Sequence, residues 1–234
     1  MEALLSPQRV NTLRVGIGER ANPLVRAPPV AAGEGNNTTH LSVLDPEGNA
    51  VALTTTLNTT FGSGILARGI GVMLNNEIDD FAILAGSPNE YGLVGGEANA
   101  LRPGKRPLSS MTPVIVRDGG QVVRYVLGSP GGPRIITSVL GVLLRTVVYG
   151  QDLATAVAAP RLHQQWSPAA TRVEPGWDEL LLQGLKNCDQ ALEESPEPWG
   201  RVQAIAVEVG GEPVGVSDPR AGGAALRAAR PGRR

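Results

Sequence analysis

The chain has 234 residues, with 21 Lys and Arg against 22 Asp and Glu, a formal net charge of −1. That balance gives no broad positive field for holding phosphates, so nucleic-acid binding is not expected. Hydrophobic residues make up 41% and charged ones 18%, enough for one buried core and too apolar for a chain disordered throughout. In chain order, residues 1–37 read as a short helical turn followed by an extended, proline-rich tail, ANPLVRAPPVAAGEGNN. Two alternating runs, THLSVLD and NAVALTTTL, are joined by Pro46-Glu47-Gly48 and predict a hairpin with Thr38 at its mouth. A glycine-punctuated connection leads to VMLNNEIDDF and then to a long loop, GSPNEYGLVGGEANALRPGKRPLSS. A connection of that length in a compact domain is usually functional or disordered.

MTPVIV and QVVRYVLGS, around Arg117-Asp118-Gly119-Gly120, predict a second hairpin. From Arg134 to Tyr149 the spacing of Ile135, Val139, Val142, Leu143 and Thr146 predicts a helix stopped by Gly150. A shorter helix is predicted over Leu153 to Ala159 and another from Trp177 to Leu192. RVQAIAVEV and PVGVS then form a closing pair of strands, and RAARPGRR is a basic tail. Strands followed by packed helices give an α+β fold with helices on one face of a mostly antiparallel sheet.

Several chemistries drop out on residue inventory. The single Cys188 excludes an internal disulfide and a thiolate zinc cluster, and His40 and His163 alone cannot build HExxH or a three-histidine centre. No metal and no cofactor are expected. No apolar run of about 18 residues occurs, and MEALLSPQRV lacks the basic start and apolar stretch of a signal peptide.

Thr38 lies where the proline-rich linker meets the first strand. A threonine hydroxyl is a weak nucleophile unless a base stands beside it, and one such base is its own α-amine once the residue is N-terminal. A free α-amino group has a pKa of roughly 7.7 to 8.0, whereas an amide nitrogen has no such basicity, so Thr38 could be activated this way only after the Asn37-Thr38 bond breaks. Thr54, Thr56 and Asn58 are two apart and share a strand face. Glu77 and Asp80, three apart, can face one point if their segment turns. Gly131 and Gly132 stand before the long helix, where the lack of side chains lets backbone N–H groups approach a reacting carbonyl. Taken singly, each of these is an ordinary strand, turn or loop residue.

In combination they are not ordinary. THLSVLDPEGNAVALTTTLNTTFGSG, LNNEIDDF, RPLSSMTP, GSPGGPRIIT, APRLHQQW and GVSDPR, in that order from about residue 36 to residue 223, resemble the C-terminal small subunit of γ-glutamyltranspeptidases. The resemblance implies an N-terminal-nucleophile (Ntn) hydrolase, an αββα sandwich of which this chain holds mainly the small-subunit half. It implies self-cleavage at Asn37-Thr38 and attack by Thr38 on γ-glutamyl amides such as glutathione, with water or an amino-acid or peptide acceptor resolving the γ-glutamyl-enzyme. By the same resemblance Thr56 orients the nucleophile and Asn58 helps hold the substrate ammonium. Glu77 and Asp80 complement that ammonium, glutamate at the first position being an accepted family variant. Ser109 and Ser110 take the α-carboxylate, Gly131 and Gly132 form the oxyanion hole, and Tyr91 lies where lidded members cover the pocket. His40, His163 and Cys188 are read as structural, and Asp79 receives no role.

The implied organisation is a remnant of the large subunit and processing linker over 1–37, the catalytic domain over 38–223 and a basic tail over 224–234. The implied partner is a large subunit, separately encoded or lost, which would supply the arginine that clamps the α-carboxylate. Without it an apolar sheet face should stand exposed. Family precedent is periplasmic or extracellular. Two other readings stay open, an unprocessed C-terminal segment that only binds partners and an acylase acting on β-lactam side chains; the acidic pair and the paired serines favour γ-glutamyl groups.

Overall fold

The computed structural model describes residues 6–16 and 38–228. The extended tail from 17, Asn37 and the last six residues of the basic tail lie outside the described residues. In chain order the elements are α1 (Pro7–Gly16), β1 (Thr38–Leu44), β2 (Ala50–Thr56), β3 (Leu66–Ala67), β4 (Val72–Met73), β5 (Val114–Arg117) and β6 (Val123–Gly128). They continue with α2 (Arg134–Leu143), α3 (Leu153–Ala158), β7 (Leu162–His163), β8 (Thr171–Val173), α4 (Glu179–Asn187), β9 (Leu192–Glu194), β10 (Gln203–Ala206) and β11 (Val214–Ser217). Single 3₁₀ turns cover Glu77–Asp80 and Glu97–Asn99.

The first hairpin forms where the alternation predicts it. Gly48 takes φ +87°, a value that favours glycine, and the Asp45 carboxylate accepts the Asn49 N–H at 2.8 Å and its side-chain amide at 2.7 Å, closing the turn. The register runs from Leu44 opposite Ala50 to Thr38 opposite Thr56.

The second sheet has the order β11-β10-β6-β5, antiparallel throughout. Leu127 and Ala204 on one of its faces pack with Ile135, Val139 and Val142 of α2 and with Leu153, Ala156 and Val157 of α3, all buried. Strand alternation turns Val126 and Gly128 to the opposite face, where the first hairpin lies: the Ser42 hydroxyl donates to the Gln203 carbonyl at 3.0 Å, and the His40 ring rests on Gly128. The layers are therefore hairpin, sheet and helices, an α+β arrangement. The hairpin's other face is apolar and open, with Leu41 54%, Val43 40%, Val51 51% and Leu53 50% exposed.

Two helix expectations need correction. The Arg134 to Tyr149 helix is α-helical only to Leu143 and continues as a wider π turn over Leu144–Val148. The helix expected over Trp177 to Leu192 is only α4. The Asp178 carboxylate caps its start by accepting the Leu180 and Leu181 N–H groups, and Asp189 at φ +61° turns the chain after its end. Leu192 instead begins β9, which pairs in parallel with β8. No described helix is long and apolar enough to cross a membrane.

Candidate active site

Register places the two threonines. Thr38 opens β1 directly across from Thr56, which closes β2, and their Oγ1 atoms lie 2.7 Å apart, with Thr38 only 9% exposed. Thr56 Oγ1 also accepts the Asn58 N–H at 2.8 Å. Either hydroxyl can donate across this contact, and when Thr56 donates, the Thr38 proton is left available to a base. Asn58 adopts φ +72°, a left-handed conformation that asparagine tolerates. Its side-chain amide donates to the Asn76 carbonyl at 3.3 Å, and its own carbonyl accepts the Tyr91 hydroxyl at 2.9 Å.

His40 is not turned to Thr38. Its Nδ1 meets Thr54 Oγ1 at 2.8 Å and its Nε2 meets Ser42 Oγ at 3.1 Å. Because the Ser42 hydrogen goes to the Gln203 carbonyl, Ser42 is left to accept from Nε2 and Thr54 to donate to Nδ1. Burial lowers the His40 pKa to about 4 and keeps the ring neutral.

The 3₁₀ turn brings the two acids together. Burial first, then a hydrogen bond that protonated Asp80 donates to Glu77 and the charges of Glu77 and Asp79, raise the Asp80 pKa to about 7. Asp79, given no role above, accepts the Glu90 N–H at 3.0 Å and so ties the long loop to this turn. Asp80 and Ser110 line a common cavity of about 350 Å³, with Phe81, Leu93, Ile136 and Trp166 among its apolar walls. Ser109 stands beside it in sequence, its Oγ accepting the Met111 N–H at 3.2 Å.

Tyr91 is 8% exposed. Its pKa is pushed up to about 12, by burial and then by Asp80, Glu77 and other nearby acids, so the hydroxyl stays a donor. Its ring closes on Gly132, where an added Cβ would come within 2.9 Å of Cε1. Gly131 and Gly132 take φ of 137° and 56°, and their carbonyls accept the Arg134 and Ile135 N–H groups at 3.1 Å as α2 begins. The loop before them is braced by Ser129, whose hydroxyl donates to the Pro130 carbonyl at 2.6 Å and accepts the Arg201 N–H at 3.0 Å.

The structure thus brings Thr38, Thr56, Asn58 and Tyr91 into one hydrogen-bonded series with Gly132 against the tyrosine ring, and sets Asp80 and Ser110 at the adjoining cavity with Glu77 hydrogen-bonded to Asp80. Sequence reasoning missed the residues that hold this arrangement. Asn76 Oδ1 takes both the N–H and the hydroxyl of Thr59 at 3.0 Å, joining the acid turn to the hairpin's end. Asn99 donates to the Asp80 carbonyl at 2.6 Å. APRLHQQW and GVSDPR contribute to a buried ion network: Arg161 pairs with Asp218, and Arg220 bridges Asp218 (3.2 Å) and Glu174 (2.6 Å). Arg161 also donates to the Trp199 carbonyl at 2.5 Å, next to the glycine that backs Ser129. No group of three metal-capable side chains occurs among the described residues.

Comparison with known proteins follows the same lines. The family model described as Gamma-glutamyltranspeptidase matches residues 1–228. The glutathione hydrolase proenzyme of Escherichia coli (strain K12) is 52% identical over 198 residues, which are 84% of this chain and 33% of that protein. The chain therefore spans about a third of that relative's length. Among solved structures, γ-glutamyltranspeptidase from Pseudomonas nitroreducens complexed with L-DON is 42% identical with a TM-score of 0.75, covering 82% of this chain and 100% of that one. A cephalosporin acylase from Bacillus halodurans shares 25% identity with a TM-score of 0.74, over 94% of this chain and 38% of that one.

Proposed function

Because the chain belongs to the γ-glutamyltranspeptidase family, we propose that residues 38–223 are the catalytic small-subunit domain of a γ-glutamyl-transferring hydrolase, preceded by the end of a large subunit over 1–37 and followed by a tail over 224–234. Scission of the Asn37-Thr38 peptide frees the Thr38 amine. That amine takes the Oγ1 proton as Oγ1 attacks the γ-carbonyl carbon, then delivers it to the departing nitrogen as the amide C–N bond breaks. The oxyanion rests on the Gly131 and Gly132 N–H groups, a device worth about 2.7–4 kcal/mol per donor in other enzymes. Water attacking the resulting ester returns glutamate, and an amine acceptor gives a new γ-glutamyl amide.

Around the reacting centre, Glu77, Asp80 and Asn58 receive the substrate ammonium, Ser109 and Ser110 its α-carboxylate, and Tyr91 closes the site. A large subunit contributes the arginine that completes the carboxylate clamp. The observation that carries this reading is the 2.7 Å contact between Thr38 and Thr56, with Asn58 N–H on the latter. The acylase alternative draws on the likeness to the cephalosporin acylase, but an acid pair beside Ser110 suits an ammonium-bearing γ-glutamyl group better than a β-lactam side chain.

The test is γ-glutamyl-p-nitroanilide turnover, with mass spectrometry, on material co-produced with a large subunit of the family. Turnover together with a product beginning at Thr38, both lost in Thr38→Ala, is expected. Turnover by an uncleaved chain, or undiminished turnover in Thr38→Ala, would overturn the reading. An intact and silent chain would favour the partner-binding alternative.

A further inference from the structure

Tyr91 is held at both ends. Its hydroxyl is anchored on Asn58, and its carbonyl, on the loop backbone, accepts the side-chain amide of Gln165 at 3.2 Å. The same amide nitrogen donates to the Ser167 carbonyl at 2.9 Å, while Gln165 Oε1 lies 2.8 Å from His163 Nε2. This orientation is fixed by its surroundings, because flipping the amide would set its oxygen against two carbonyls. Oε1 therefore accepts and His163 carries its proton on Nε2, so Nδ1 is left to accept the Thr137 hydroxyl at 2.8 Å, a shorter approach than that hydroxyl's alternative of 3.2 Å to the Arg134 carbonyl. Burial depresses the His163 pKa, which keeps the ring neutral and this tautomer in place. The donors all run one way, from Thr137 through His163 and Gln165 to Tyr91, the polarity in which successive hydrogen bonds reinforce one another. Thr137 belongs to the first turn of α2, whose opening bonds are to the carbonyls of Gly131 and Gly132.

We propose that Gln165 is a positioning residue that latches the Tyr91 loop to the start of α2 through His163 and Thr137, so that the cover over the site and the glycine donors move as one unit. The proposal rests on the functional reading above for its kinetic consequence but not for its mechanical one. Gln165 borders the 350 Å³ cavity along with His163 and Thr137, so the latch also forms part of that cavity's wall. A glutamate at 165 keeps the acceptor toward His163 and replaces the donor facing the Tyr91 and Ser167 carbonyls with an oxygen.

Two measurements test it on the chain assembled with a large subunit. Hydrogen exchange requires no turnover: in both Gln165→Glu and Gln165→Ala, the amides of 89–93 should exchange about tenfold faster while those of α2 and β6 are unchanged. Unchanged exchange in the loop for both variants overturns the latch. Acceleration spread equally over α2 and β6 overturns it too, because Gln165 would then be merely structural. Kinetically, Gln165→Glu should raise the donor KM by about tenfold with kcat within about threefold, and Thr137→Val should shift KM the same way by less. A fall in kcat with KM unchanged counts against positioning. If unsubstituted material shows no turnover, the functional reading fails while the exchange result still decides the latch.

Discussion

Thr38 and Thr56 face each other because two strands pair in register, whereas Asp80, Tyr91 and Ser110 are gathered by turns and side-chain hydrogen bonds in a region with little sheet. Strand pairing fixes a side chain through many backbone bonds at once, so the hydroxyl pair has little freedom. The loop side depends on single contacts such as Asp79 to Glu90 and Asn99 to Asp80, each of which can open separately. Under the proposed function, a rigid nucleophile set beside an adjustable receptor is a division of labour suited to a site that must admit, enclose and release a substrate.

That contrast can be broken from either side. On the strand side, beyond the loss expected for Thr38→Ala, Thr56→Val removes the hydroxyl that bridges Thr38 and the Asn58 N–H. We expect kcat to fall by roughly 10²-fold with donor KM nearly unchanged, read by steady-state kinetics of the assembled protein. On the loop side, Asp80→Asn should act mainly on KM, raising it by about 10- to 100-fold. Asp80 titrates near 7 in the folded chain, and an ammonium prefers the ionised carboxyl. Donor KM should therefore fall as pH rises through about 7, and this step should vanish in Asp80→Asn.

The smallest effects sharpen the comparison through stability. His40 has a folded pKa of about 4, below its ordinary value; between pH 4 and 6.5 the unfolded chain binds the extra proton, so its contribution is full above 6.5 and lost as pH falls towards 4. Asp80 has the opposite sign. Its folded pKa is raised to about 7, so the folded chain holds the extra proton, and its contribution is present below the ordinary carboxyl range and lost as pH rises towards 7. Each is worth about 1–2 kcal/mol after solvent screening. Urea denaturation across pH 4 to 7 should show His40→Gln and Asp80→Asn tilting the stability profile in opposite directions, and tilts of the same sign would contradict the assignment.

The strand side was the more legible in sequence, and the reason is physical. Alternation and the Pro46-Glu47-Gly48 turn set the hairpin's register, and register alone carries Thr38 to Thr56. The 3₁₀ turn at Glu77 and Asp80 was also accessible, because three-residue spacing is a local property. By contrast, Asn76, Asn99, Gln165 and the Arg161, Glu174, Asp218 and Arg220 network join residues distant along the chain through single side chains, and no periodicity marks such contacts. Two of the motifs that suggested the family, APRLHQQW and GVSDPR, contribute to that internal network and were recognised without their structural work being visible. The overlong α4 expectation failed for a related reason: the left-handed turn at Asp189 and the parallel pairing of β9 depend on tertiary context that apolar spacing does not report.

The seat of His40 sets a limit on what the chain can accept. A side chain at Gly128 would begin 2.3 Å from His40 Cε1 and 2.4 Å from Nδ1, closer than atoms can stand. The bare Cα there leaves the space that the imidazole fills between two β layers. Thickening it by one methyl would push the imidazole outward and, two residues along the same strand, carry Thr38 out of line. A saturation screen should thus find residue 128 nearly as intolerant as Thr38, the proposed nucleophile, though it has no part in the proposed chemistry.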